Sequence, residues 1–109
     1  MLKKSERITR SDFNTFFKKG KRLSSEHIMA IVSLSPNFHA SVVVSKKVSK
    51  QAVLRNTYRR RVYAQLYTLK KREFKGVVIV TLKPSFASLT KAEAKTVIEA
   101  LVVRIMKSA

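Results

Sequence analysis

Lys50 to Leu69 reads KQAVLRNTYRRRVYAQLYTL, and shortly after it Val77 to Leu82 reads VVIVTL. In the first stretch Leu54, Tyr58, Val62, Leu66 and Leu69 recur at helical spacing and fall on one stripe of a helical wheel. Asn56, Arg59, Arg60 and Tyr63 fall on the opposite face, with Arg55 and Arg61 near the two boundaries. The second stretch is apolar at consecutive positions and bounded by Gly76 and Pro84, as expected of a strand buried on both faces. A long basic helix leading into a doubly buried strand already points to mixed α and β structure.

Working upstream, His27–Leu34 and His39–Lys46 are apolar runs rich in β-branched residues, joined at Ser35-Pro36-Asn37. Those joining residues favour a turn, so the two runs are expected to form an antiparallel hairpin. A short extended piece at Lys21–Ser24 precedes them. Further back, Phe13, Phe16 and Phe17 follow Ser11-Asp12 at helical spacing, and Gly20 ends that helix. Downstream, Thr90-Lys-Ala-Glu93 is a capping box that opens a last helix with Ala94, Val97, Ile98, Leu101 and Ile105 on its apolar face. The expected order is α-β-β-β-α-β-α: an α+β, two-layer sandwich with a four-stranded sheet. Residues 1–109 are expected to form one domain, since the chain shows no repeat, low-complexity tract or linker.

Charge narrows the function. Twenty-four Lys and Arg face six Asp and Glu, a formal net charge of +18. Self-repulsion of that size burdens a compact state unless a polyanion is the usual partner. The excess is also segregated: no acid lies between Glu26 and Glu73, where Lys46, Lys47, Lys50, Arg55, Arg59, Arg60 and Arg61 accumulate. A merely solvated surface mixes its signs. No apolar run approaches the roughly 18 residues of a membrane span. The charged N-terminus, with no apolar stretch behind it, does not resemble a secretory signal. A cytoplasmic nucleic-acid binder is the expectation.

Catalysis by the protein itself is disfavoured. There is no cysteine, no glycine-rich phosphate loop and no cluster of carboxylates for a two-metal site. His27 and His39, expected on neighbouring strands with no cysteine and few acids nearby, read better as partly exposed strand residues than as a metal site or general base. No metal and no small-molecule substrate are expected on the protein. Any reaction it joins draws its chemistry from elsewhere.

The stretch Lys46-Lys47 through Arg60 resembles the signature of the bacterial ribonuclease P protein family: a Lys-Lys strand end, a short turn, Ala-Val-x-Arg-Asn-Arg, then a basic pair. Phe13, Phe17 and Lys18-Lys19-Gly20 match its early helix, Lys83-Pro84 its late Lys-Pro, and Thr90 to Met106 its closing helix. Thr57 and Tyr63 replace arginines of that pattern, Ser49-Lys50-Gln51 replaces a glycine-containing turn, and Val32 stands where an aromatic is common.

The resemblance implies the same element order with a left-handed β-α-β crossover, and a protein that serves the endoribonuclease as a subunit while being inactive alone. It implies that the RNA subunit is the catalyst, requiring Mg²⁺, and that the reaction matures the 5′ end of tRNA. Lys46, Lys47, Lys50, Arg55, Asn56, Arg59 and Arg60 would bind the catalytic RNA. Phe13, Phe17, Lys18 and Lys19 would bind the single-stranded leader of precursor tRNA in a cleft between the first helix and the sheet. Phenylalanines at this spacing serve a core equally well, and Phe16 is assigned there. A non-catalytic structural RNA binder, such as a ribosomal protein, shares the charge and size and is the alternative; a DNA-packaging protein is a third.

Overall fold

The computed structural model describes residues 20–35 and 37–108. Over these the order is β1 (Lys21–Ser24), β2 (Ile28–Leu34), β3 (His39–Val43), α1 (Ala52–Lys71), β4 (Gly76–Leu82), a 3-10 turn (Pro84–Ser88) and α2 (Lys91–Ser108). The N-terminal helix expected around Phe13–Phe17 lies outside the described residues. The α+β class and the four-stranded sheet are as expected.

The sheet order is β1-β2-β4-β3, which corrects one expectation. β2 and β3 do not form a hairpin: β4 lies between them, antiparallel to β2 and parallel to β3. Val77, Val78, Ile79, Val80 and Leu82 of β4 are all buried, and a strand apolar on both faces is most stable with both edges paired as well. The Ser35–Asn37 link need only cross one strand, roughly 10 Å from β2 to β3, and a turn sequence encodes reversal of the chain without specifying its neighbour. The true hairpin is β1–β2, with Lys21 opposite Val32 and Ser24 opposite Met29. Its turn is held by Lys83, whose Nζ donates to Ser24 Oγ (2.8 Å) and to the Ser25 carbonyl (2.5 Å).

Both helices cover one face, α1 over β3 and α2 over β2, and they touch each other. The core between them joins Ile28, Ala30 and Val32 of β2, Ala40 and Val42 of β3, and Val78, Val80 and Leu82 of β4 to Val62, Leu66 and Leu69 of α1 and Ala94, Ile98, Leu101 and Ile105 of α2. Phe86 of the 3-10 turn is buried within it and meets Tyr58 edge-on, with ring centroids 5.5 Å apart. The other sheet face carries a smaller apolar cluster of Ile31, Val77 and Ile79, flanked by Met29 and Val43.

The capping box forms as expected. The Thr90 N–H donates to Glu93 Oε1 (2.9 Å) and the Glu93 N–H to Thr90 Oγ1 (3.2 Å). The Thr90 amide first, and its hydroxyl second, hold the Glu93 carboxyl below its ordinary pKa. The cap therefore supports α2 above the ordinary carboxylate range and weakens as pH falls through the lowered value.

Along α1 the expected apolar stripe is buried at Val62, Leu66 and Leu69, whereas Leu54 remains 39% exposed. The helix meets the core only from Tyr58 onward, so its first turns project beyond it. Tyr63, expected on the solvent face, instead packs against the core. Its hydroxyl accepts the Val42 N–H at 3.2 Å, a polar closure on the outer edge strand of the sheet.

Candidate nucleic-acid interface

The acid-free basic segment folds into a turn and a helix start. β3 ends at Val43, earlier than expected, so Lys46 and Lys47 lie in a turn and do not end the strand. The Val48 N–H donates to the Ser45 carbonyl at 3.1 Å, which places both lysines at the middle of the turn, exposed to solvent. Val48 is buried and anchors the loop to the core. This anchor explains the early strand end: the chain must turn inward after Val44 to bury Val48.

Ser49 and Gln51 lead into α1. Gln51 is the N-cap residue, its backbone is extended, and no side chain caps the helix. The first intrahelical bond joins the Arg55 N–H to the Gln51 carbonyl at 3.1 Å, so the preceding helical amides face outward without intrahelical partners. No acid lies in this first turn. Free amides and the helix dipole favour an anion here, and Lys46, Lys47, Lys50 and Arg55 come from the same short segment.

The expected phosphate ligands divide into two kinds. Arg55 donates from Nη1 to the Ser49 carbonyl (2.9 Å), folding back across the helix start. Arg59 donates to Asn56 Oδ1 (2.7 Å) and to the Val44 carbonyl (3.4 Å), linking helix, turn and strand edge. These arginines hold the turn against α1, yet each guanidinium has five N–H donors and keeps several for a ligand. Lys46, Lys47, Lys50 and Arg60 are exposed, and Arg60 makes only a long contact to Thr57 Oγ1 (3.4 Å). Thr57 itself donates to the Val53 carbonyl one turn back, at 3.0 Å. In place of the arginine of the family pattern, it contributes a local hydroxyl and no charge.

The basic face also extends further than expected. Further along α1, Tyr67 packs partly buried against the core, and the ammonium groups of Lys71 and Lys70 lie 5.3 and 5.7 Å from its ring centroid. An aromatic ring beside lysines on the helix that carries the arginines is a feature the spacing alone could have revealed.

The histidines are not a pair. His27 precedes β2, whose Ile28 is opposite Leu82, while His39 is opposite Val77. They therefore lie near opposite ends of β4 and on opposite sides of it, offset by about 20 Å along the strand at 3.3 Å per residue. His27 Nδ1 meets Ser85 Oγ at 2.8 Å. Among the described residues no group of three His, Cys, Asp or Glu could hold a metal ion, and no helix is long and apolar enough to cross a membrane. Phe13, Phe17, Lys18 and Lys19 lie outside the described residues.

The family model for ribonuclease P matches residues 2–106. The chain belongs to the ribonuclease P protein family. Comparison with curated protein sequences finds no match, but solved structures agree. A Staphylococcus aureus RNase P protein mutant with defective mRNA degradation activity is 25% identical with a TM-score of 0.84, covering 95% of this chain and 90% of that one. The S. aureus RNase P protein at 2.0 Å is 23% identical with a TM-score of 0.78, covering 95% and 94%. The RNase P protein from Thermotoga maritima is 22% identical with a TM-score of 0.75, covering 94% and 96%. The chain is thus a protein subunit of an RNA-containing endoribonuclease, and its partner is the ribonuclease P RNA. The ribosomal-protein alternative is not favoured.

In this ribonuclease P protein the Tyr63 hydroxyl stands where the family pattern has an arginine, and its work is internal. Tyr63→Phe is expected to lower stability by about 0.5–1.5 kcal/mol, because the Val42 N–H loses its acceptor. Chemical denaturation with an unchanged m-value checks this; an unaltered midpoint would show that the hydroxyl adds nothing to the strand edge.

Proposed function

We propose that the turn at Lys46–Val48 and the amino-terminal half of α1 form the surface on which this subunit holds the catalytic RNA, through Lys46, Lys47, Lys50, Arg55, Asn56, Arg59 and Arg60. The observation that carries this reading is a helix start with no side-chain cap and no acid in its first turn, set among these cations. Phosphates would meet free amides, lysine point charges and arginine forks together. Residues 1–109 act as one RNA-binding domain in the cytoplasm, and the completed particle removes the 5′ leader from precursor tRNA. Mg²⁺ belongs to the RNA subunit: the scattered carboxylates of the described residues do not suit a protein-held ion, so the chain alone is expected to be inert toward precursor tRNA.

The leader is proposed to bind on the sheet face opposite the helices, with Phe13, Phe17, Lys18 and Lys19. Two observations support that choice. The face centres on Ile31, Val77 and Ile79, which are themselves buried and so form its floor and not the stacking surface. The strand register adds polar residues in the same rows, with Arg22 and Ser41 beside the isoleucines and Ser33 and His39 beside Val77. Ser33 Oγ is buried there without a hydrogen-bond partner among the described residues. Bases can stack on aromatic and apolar groups largely irrespective of sequence.

Salt titration tests the first surface. Arg60→Ala should weaken binding to the catalytic RNA and reduce the log–log salt slope by about 0.7–0.9, one phosphate's worth. Lys107→Ala, exposed in the last turn of α2, should leave the slope unchanged. Equal losses at both positions would mean diffuse attraction and no defined surface.

Comparison of precursor with mature tRNA tests the second. If Phe17 stacks on the leader, Phe17→Ala lowers holoenzyme affinity for precursor tRNA by about 1–3 kcal/mol per base unstacked and leaves mature tRNA unaffected. A folded variant that still prefers precursor as strongly as the parent removes Phe17 from the leader site. A melt lowered by roughly 3–5 kcal/mol of stability, with all binding impaired together, assigns it to the core.

A further inference from the structure

A second basic surface lies on the other flank of α1. There α1 and α2 border an open groove of about 190 Å³ lined by Arg61, Ala64 and Gln65 of α1 and Lys91, Lys95 and Ile98 of α2. Past Gln65 a further hollow is lined by Thr68, Arg72 and Met106 but also by Glu99, Val102 and Val103, so the basic part of the groove ends there. From Arg61 to Arg72 the two hollows together run about 16 Å along the helix at 1.5 Å per residue. The volume is below the roughly 300–1,000 Å³ of small-molecule pockets, and the groove is open, so a strand lying along it fits better than an enclosed ligand.

Two of the three cations in this groove are placed where the free protein gains little from them. Arg61 and Lys91 have no hydrogen-bond or ion-pair partner among the described residues, and Lys95 meets only Glu99, at 3.9 Å on the exposed surface of its own helix. Lys91 is the first residue of α2, where the helix dipole repels a cation. Cations gathered over the apolar floor of Ile98 also repel one another. An incoming polyanion would relieve both penalties. Arg61 directly follows Arg60, so the two side chains diverge by about 100° around α1. A phosphate strand on the outer face can thus reach the groove without leaving the helix.

We propose that this groove is a second phosphodiester-binding surface for the catalytic RNA, so that the RNA engages α1 from both flanks. The inference rests on the assignment of the outer α1 face to the same RNA. It excludes an acidic protein partner because the groove adjoins that RNA-facing helix surface.

The test is binding of the full chain to the catalytic RNA across a salt series. The double variant Arg61→Ala/Lys91→Ala should reduce the log–log slope by about 1.4–1.8, two phosphates' worth, and Arg61→Lys/Lys91→Arg should restore it. The double variant should melt no lower than the parent, since Lys91→Ala removes a cation from a helix start. A parental slope in the double variant overturns the groove while leaving the turn surface standing, provided Arg60→Ala still lowers the slope; parental slopes in both overturn both. A second measurement needs no loss of affinity. The chain has no cysteine, so Ala64→Cys, exposed on the groove wall, gives a unique site for a tethered iron chelate. Cleavage of the bound catalytic RNA from this position is expected. Its absence, with cleavage observed from Val53→Cys at the exposed helix start, contradicts the proposal.

Discussion

A strand that is apolar on both faces needs cover on both sides and favours a partner along each edge, and Val77–Leu82 places that demand on the whole chain. β2 meets it on one edge and β3 on the other. Because β3 runs parallel to β4, the connection between them must travel back the length of the sheet. That connection is α1, and its apolar residues Val62, Leu66 and Leu69 cover the sheet on the way. The crossover leaves β3 through the turn at Ser45–Val48, which places the basic turn and the free amides of α1 together at one end of the molecule. The surface proposed for RNA is thus a consequence of how β4 is enclosed.

Electrostatics then explains why that surface can be so strongly basic. The fold holds few acids, and the segment from His27 to Arg72 holds none. Arg55 and Arg59 relieve part of the repulsion by donating to the carbonyls of Ser49 and Val44. These bonds also hold the turn beside the helix. Lys46, Lys47 and Lys50 have no such carbonyl acceptor among the described residues, and Arg60 has only the long contact to the Thr57 hydroxyl. A ribonucleoprotein subunit has its compensating charge in its partner, so these groups are satisfied on assembly and not on folding.

Much of this was legible in the sequence because the signals were local. Thr90 and Glu93 announced the cap of α2, and six nearly uninterrupted apolar residues announced the double burial of β4. The strand order was not legible: turn residues between β2 and β3 encode a reversal, while the strand that separates them comes later in the chain. A helical wheel assigned angles to Leu54 and Tyr63 but could not show that the first turns overhang the core, or that an edge amide at Val42 awaits a hydroxyl. The basic turn was found from composition, yet its specific function came from the pattern Lys46 through Arg60, since charge alone suits any polyanion. The leader-binding candidates at Phe13–Lys19 lie outside the described residues.

On the function proposed above, this chain supports a reaction whose catalyst is RNA. Reconstitution tests it most directly: cleavage of precursor tRNA by the ribonuclease P RNA at low Mg²⁺, measured with the chain, without it, and with the chain alone. Cleavage at the 5′ maturation site should rise sharply when protein and RNA are combined, and the protein by itself should give none. Equal rates with and without the chain, or cleavage by the RNA-free protein, would contradict it.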